Sequence, residues 1–254
     1  MPVQSVLALP TELGDEIVSY LPVRDLGNVR LLSKGYQARF NYQFWSNSNF
    51  RISLSQDCLQ RFAQFVQNAP YTPFKVKTIT VFAGRDEQLN INRQTIVTEL
   101  SKGFSGLTIE NLVFDIKTRH SAAAKIWKPV MASLIQTRQR SIQSIVFSRG
   151  GWWDGKSYIP LHEFKLSEVY RQECRNTFTN LTQLAIETSE QQGKEALTRK
   201  FWAFIGAIGP NLQQLDIRIR AKCQDGYIEP SISQRTQQLQ PVGGAIPAEF
   251  NVPT

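Results

Sequence analysis

Residues 150–157, GlyGlyTrpTrpAspGlyLysSer, satisfy the spacing of a phosphate-binding loop: glycine, four residues, glycine, lysine, serine. Such a loop works when glycines turn backbone N–H groups onto the phosphates after a strand and a helix starts at the Lys-Ser pair. Here Trp152 and Trp153 fill the supposed cradle, and Pro160 falls where the first helical turns after Lys156 and Ser157 should run. The stretch therefore reads as a surface loop, and no ATP or GTP site is expected. His120 and His162 stand without a nucleophile or ligand cluster, so no catalytic residue, metal or cofactor is expected. Cys58, Cys174 and Cys223 are isolated and odd in number, which suits a reducing compartment, cytoplasm or nucleus, and argues against a disulfide framework.

The elements that would carry such residues follow from composition and pattern. At 254 residues and 41% hydrophobic, the chain can bury a substantial core as one or two domains. No apolar run approaches a membrane span, and the start lacks a signal-peptide pattern, so no membrane insertion is expected. The net charge is +8, yet the first fifty residues carry four basic and four acidic side chains, so the whole excess lies downstream. Spread over the rest of the chain without a dense block, that charge argues against a nucleic-acid groove, although a basic repeat protein binding nucleic acid is a rival reading.

Residues 9–21, LeuProThrGluLeuGlyAspGluIleValSerTyrLeu, predict a short amphipathic helix. Pro10 suits its first turn, Glu12, Asp15 and Glu16 favour its positive end, and Leu13, Ile17 and Leu21 share a face. A second helix is expected after Asp25, with Leu26, Val29 and Leu32 inward. A third is expected after Ser33, with Tyr36, Phe40 and Phe44 spaced by fours. The order LeuPro, Glu-Leu, Glu-Ile, TyrLeuPro, AspLeu, ArgLeu, SerLys, Tyr and PheTrp over residues 9–45 closely resembles the F-box. Gly14 departs from the pattern, where a larger helix former is common.

Resemblance to F-box proteins implies docking on a Skp-type adaptor, and through it on cullin and RING subunits of a ubiquitin ligase. The positions matching the family's adaptor-facing ones are Leu9, Pro10, Leu13, Ile17, Leu21, Leu26, Val29, Leu32 and Trp45. Some of these must instead fill the unit's own core, and the sequence does not separate the two sets.

Beyond residue 50, apolar anchors at relative positions 0, +3 and +5 recur five times. They are Val76, Ile79, Val81; Ile109, Leu112, Phe114; Ile142, Ile145, Phe147; Leu181, Leu184, Ile186; and Leu212, Leu215, Ile217. First anchors are 33, 33, 39 and 31 residues apart, and a helical pattern precedes each set. The helical anchors are Leu59, Phe62, Ala63 and Val66; Ile96, Leu100 and Phe104; Ile126, Val130 and Leu134; Leu166, Val169 and Tyr170; and Leu197, Phe201, Phe204, Ile205 and Ile208. Pro129 is expected to kink or restart the third of these helices. One strand and one helix per unit imply parallel strands joined by right-handed crossovers.

The anchors look like those of a leucine-rich repeat, but the position at +8, usually Asn or Cys, holds Gly84, Lys117, Gly150, Ser189 or Arg220. The expected fold is thus α/β: a three-helix F-box over 1–50, an irregular leucine-rich-repeat-like solenoid with parallel strands over 51–233, and a flexible tail over 234–254. An ordinary α/β domain is the alternative for the body.

In function the chain reads as a non-catalytic substrate receptor of a ubiquitin ligase, recruiting a protein target for ubiquitination. A non-ligase F-box interaction protein is the rival. Alternation turns positions +2, +4 and +6 to the open strand face, making Phe82, Asp115, Glu187, Asp216 and Arg218 candidate target contacts. Trp152 and Trp153 are added as aromatic anchors at its edge, unless they fold back on the core.

Overall fold

The computed structural model describes residues 10–69, 74–83, 91–116, 120–148, 159–160, 164, 166–189, 195–220 and 232–234. Leu9, the loop with Trp152, Trp153 and Lys156, His162, Cys223 and nearly all of the tail lie outside them. Three helices open the chain: α1 (Thr11–Ser19), α2 (Val23–Arg30) and α3 (Lys34–Asn47). Pro10 and Pro22 precede the first two, and Ser33 caps α3 by accepting a hydrogen bond from the Tyr36 N–H.

The remainder alternates strand and helix: β1 (Asn49–Ser53), α4 (Gln56–Gln67), β2 (Phe74–Ala83), α5 (Arg93–Phe104), β3 (Leu107–Ile116), α6 (His120–Gln136) and β4 (Ser144–Ser148). It continues with β5 (Ile159–Pro160), α7 (Glu168–Thr177), β6 (Gln183–Ser189), α8 (Glu195–Ile208), β7 (Gln214–Arg220) and β8 (Ile232–Gln234). Strands β1, β2, β3, β4, β6 and β7 pair in parallel in chain order; β5 pairs with β6, and β8 closes the β7 edge antiparallel.

The anchors align across strands in register. Ile79, Leu112, Ile145, Leu184 and Leu215 form one row, and Val81, Phe114, Phe147, Ile186 and Ile217 the next. All anchors of the first four sets are buried. Each of α4 to α8 packs on the next, so the helices cover the anchor face as one layer. Gly103 allows the α4–α5 approach: a Cβ there would collide with the Phe62 ring.

Several local expectations are corrected. Residues 49–53 form an additional strand, so the boundary anticipated at 50 falls inside β1; two apolar residues, Phe50 and Ile52, were too short a signal to show it. Of the kink or restart expected at Pro129, the restart does not occur: α6 continues through that residue. Buried Ile126, Trp127, Val130, Met131 and Leu134 hold it, offsetting the lost hydrogen bond. Val169 is exposed; α7 buries Cys174 and Thr177 instead, because its apolar content is too low to dictate which face packs.

No asparagine ladder was expected at +8, and the units are tied elsewhere, at the strand entrances. Asn111 Nδ2 donates to the Lys77 carbonyl, Ser141 Oγ to Ile109, Thr182 Oγ1 to Gln143 and Asn211 Nδ2 to Thr179. Gln139, itself buried, donates to the carbonyls of Phe104 at 2.6 Å and Leu107 at 3.1 Å. Each donor reaches the preceding unit. The long connection between β4 and α7 is pinned by Phe164, fully buried and with its ring 5.1–5.7 Å from those of Trp127, Phe147, Phe201 and Phe204.

Two stability measurements check these ties. Gln139→Met leaves two buried carbonyls without their donor and should cost about 1–3 kcal/mol in urea unfolding. Phe164→Ala should cost about 3–5 kcal/mol, since it empties a buried aromatic site. A loss below half a kcal/mol in either variant would show that the tie it removes is dispensable.

Candidate interaction surfaces

The helical unit has an inside and an outside that its periodicity did not assign. Inside, Val18, Leu26 and Phe40 form a small core, with Leu21, Val29, Tyr36 and Phe44 half-buried around it. Outside, Leu13 is 50% exposed, Ile17 44%, Tyr20 80%, Leu31 84% and Leu32 70%. Among the described residues only Phe65 and Val169 join these as exposed large hydrophobics, so the unpartnered apolar surface is concentrated on the helical unit. Leu13, Ile17 and Tyr20 follow the i, i+4, i+7 spacing of one helix face. The second helix was expected to turn Leu32 inward; Leu32 lies beyond its end and is exposed.

The positions matched to adaptor contacts therefore divide. Pro10, Leu13, Ile17 and Leu32 are exposed, Leu21 and Val29 are half-buried, and Leu26 belongs to the core. Leu26 is thus corrected from a candidate contact to a packing residue, since it offers no surface to a partner. Trp45 faces the sheet body. Its ring stacks on Phe50 at 5.3 Å and meets Phe65 at 5.2 Å and Phe74 at 6.0 Å. Arg30 covers this junction, its guanidinium 4.2 Å from the Phe44 ring centroid and 5.0 Å from that of Trp45, while Nε donates to Asn41 Oδ1 at 2.6 Å. Partial removal from water lowers the Arg30 pKa from its ordinary value. Gln43 Nε2 donates to Asp15 Oδ1 at 2.7 Å, tying α1 to α3.

The second surface is the sheet face opposite the helices. Register places Asn49, Thr78, Asn111, Ser144, Gln183 and Gln214 in one row across it, every one an amide or hydroxyl side chain. From Thr78 onward that row consists of the +2 positions expected from alternation, and β1 adds Asn49 to it. Phe82 and Asp115, read from separate repeats, come together with a residue missed with β1: Arg51 spans β2, lying 4.3 Å from the Phe82 ring centroid and bonding Asp115 Oδ2 at 3.2 Å. On the far side Glu187 pairs in register with Arg218, and Ala185 with Asp216. The structure thus separates the five named sheet residues into two groups.

No group of three or more His, Cys, Asp or Glu residues that could hold a metal occurs among the described residues, and no described helix is long and apolar enough to cross a membrane. No protein-family model matches the chain, and no curated protein matches it.

The two described cysteines differ in environment. Cys58 is half-buried, whereas burial pushes the Cys174 thiol up from 9.0 to about 12, the Glu173 carboxylate adding to the shift. A raised folded-state pKa contributes stability that is fully present below about 9 and is lost as pH rises toward about 12. Iodoacetamide mapping at pH 8 should label Cys58 ahead of Cys174, and stability should fall more steeply above pH ~9 in the native sequence than in Cys174→Ala. Early Cys174 labelling, or identical alkaline slopes, would contradict the burial assigned to this thiol.

Proposed function

We propose that the chain is a substrate-recognition subunit of a Skp-cullin-F-box ubiquitin ligase, with its helical unit docking on the adaptor and its sheet body holding a protein target. The observation that supports this reading is the set of apolar side chains turned to solvent by α1 and the end of α2. Leu13, Ile17 and Leu32 in that set are also positions matching the F-box resemblance. A monomer gains nothing from exposing them, whereas a partner helix surface would bury them.

The body's part is proximity. A target held on the open sheet face or at the strand-end loops would present its lysines to the ubiquitin carrier at raised effective concentration. No covalent intermediate forms on this chain. The body is read as an irregular, leucine-rich-repeat-like solenoid: strands add in chain order, and side-chain donors at the strand entrances stand in for an asparagine ladder.

Leu13→Asp with Ile17→Asp tests the reading cleanly, because both residues are largely exposed and their replacement leaves the core of Val18, Leu26 and Phe40 in place. Circular dichroism and thermal midpoint should be nearly unchanged, while capture of purified Skp-type adaptor should weaken about a hundredfold or more. Cullin in the captured complex separates a ligase subunit from an adaptor-bound protein with another role. Full adaptor binding by the folded double variant, or none by the native chain, would overturn the assignment.

A further inference from the structure

The turns that lead from each helix into the next strand line one rim of the body, and that rim is basic. Lys102 and Arg175 stand in the last turns of α5 and α7, Arg138 and Arg140 in the turn between α6 and β4, and Lys75 and Lys77 at the start of β2. Lys75 is paired with Glu110 at 2.9 Å and Lys102 with Glu99 at 2.7 Å. By contrast, Lys77, Arg138, Arg140 and Arg175 are exposed, and their side chains make no ion pair among the described residues. Glu173 on α7 lines an outer groove with Arg93 and Gln136 instead. Helix α7 packs beside α6, so the end carrying Arg175 adjoins the turn carrying Arg138 and Arg140.

That turn combines backbone strain with a fixed mount. The Gln139 N–H bonds the Leu134 carbonyl and the Arg138 N–H bonds that of Ile135, both at 3.0 Å. Together they close α6 in a Schellman motif with Arg138 at the left-handed position, φ 51°. Glycine takes that position without strain, whereas a side chain there crowds the backbone. Among the described residues Arg138 alone departs from this preference. Between the two arginines, buried Gln139 donates to the carbonyls of Phe104 and Leu107, so the turn is anchored to the preceding unit while Arg138 and Arg140 stay in solvent. The dipoles of α5 and α7 account for Lys102 and Arg175 in their last turns. They do not account for strain accepted at Arg138, and strain kept at an exposed cation points to what that cation meets.

We propose that this part of the rim is a docking site for an acidic segment of a protein partner, its Asp and Glu carboxylates taken by Arg138, Arg140 and Arg175. Guanidinium groups bind carboxylates through paired N–H bonds, and a fixed mount lowers the entropy lost on binding. Two other polyanionic partners fit less well. Phe104 and Phe178, the aromatics of the adjoining turns, are buried, so the bases of a single-stranded nucleic acid find no ring to stack on beside the arginines. The exposed large hydrophobics lie on the helical unit, on α4 and in the first turn of α7, so none stands beside the arginines to enter a membrane interface. Docking here does not depend on adaptor binding by the helical unit.

A fluorescein-labelled oligoglutamate peptide is the probe, with an oligoglutamine peptide of equal length and an oligouridylate of equal charge as comparison arms. Anisotropy on the full chain at low salt should show oligoglutamate bound more tightly than either, with binding that weakens as salt is raised. Arg138→Gln and Arg140→Gln should each weaken it about threefold or more, while Arg61→Gln on α4 should not. Arg138→Gly supplies the decisive readout. It should weaken oligoglutamate binding as Arg138→Gln does and yet raise the thermal midpoint, since it removes the charge and the strain together. Absence of oligoglutamate binding, equal binding of oligoglutamine, tighter binding of oligouridylate, or binding unaffected by both glutamine substitutions would each overturn the proposal. A lowered midpoint in Arg138→Gly would overturn it too, because Arg138 would then serve the turn itself.

Discussion

Parallel strands that add in chain order can bury only one face through their own connections, and the rest of this molecule follows from that constraint. Each crossover is a helix, and each helix lands beside the previous one, so α4 to α8 all lie over the rows headed by Ile79 and Val81. The opposite face receives no element from these crossovers. Its side chains are accordingly polar or small in the row running from Asn49 to Gln214. Where an aromatic does occur there, at Phe82, Arg51 lies over it and is itself tied to Asp115. Such an exposed ion pair contributes little stability, about 0–1 kcal/mol, so its main effect is to shield the ring and fix its surroundings.

A sheet built this way has two ends, and the first strand would be an open edge without a cover. Helix α3 leads directly into that strand and packs against its neighbour β2. Ser48 follows it directly, bonding back to Phe44 through its hydroxyl and accepting the Thr78 N–H through its carbonyl. Trp45 then enters the cluster of Phe50, Phe65 and Phe74. The far end is finished differently, by the antiparallel strand β8. An antiparallel strand of this kind pairs the β7 edge and so removes one open row of backbone donors and acceptors.

Much of this was legible in residue spacing. The 0, +3, +5 anchors predicted strands whose register the sheet reproduces, because alternation leaves one buried face and a slip by one residue would turn every anchor out. Helices α4, α5 and α8 were readable for a similar reason. The misses share one cause. Periodicity locates an apolar stripe but does not say what covers it, so it did not separate the exposed Leu13 and Ile17 from half-buried Leu21, nor show that Val18 is the residue that packs. Strand β1 carries only two apolar residues, and with it went Arg51, whose partners Phe82 and Asp115 lie on neighbouring strands far along the chain.

The helical unit is the point at which these constraints join. Among its described side chains the core of this unit is the small cluster of Val18, Leu26 and Phe40. It gains order from the body through Trp45 and from Arg30, which closes over Phe44 and Trp45 together. A partner covering Leu13, Ile17, Tyr20 and Leu32 would bind the ordered unit and not the unfolded one, and so would stabilise it by mass action. Under the proposed reading, the same three helices are therefore held from two sides, by the sheet through Trp45 and by the adaptor through α1. Damage to the Trp45 cluster would then weaken adaptor binding without touching a contact residue, because it lowers the population of the docking-competent helical unit.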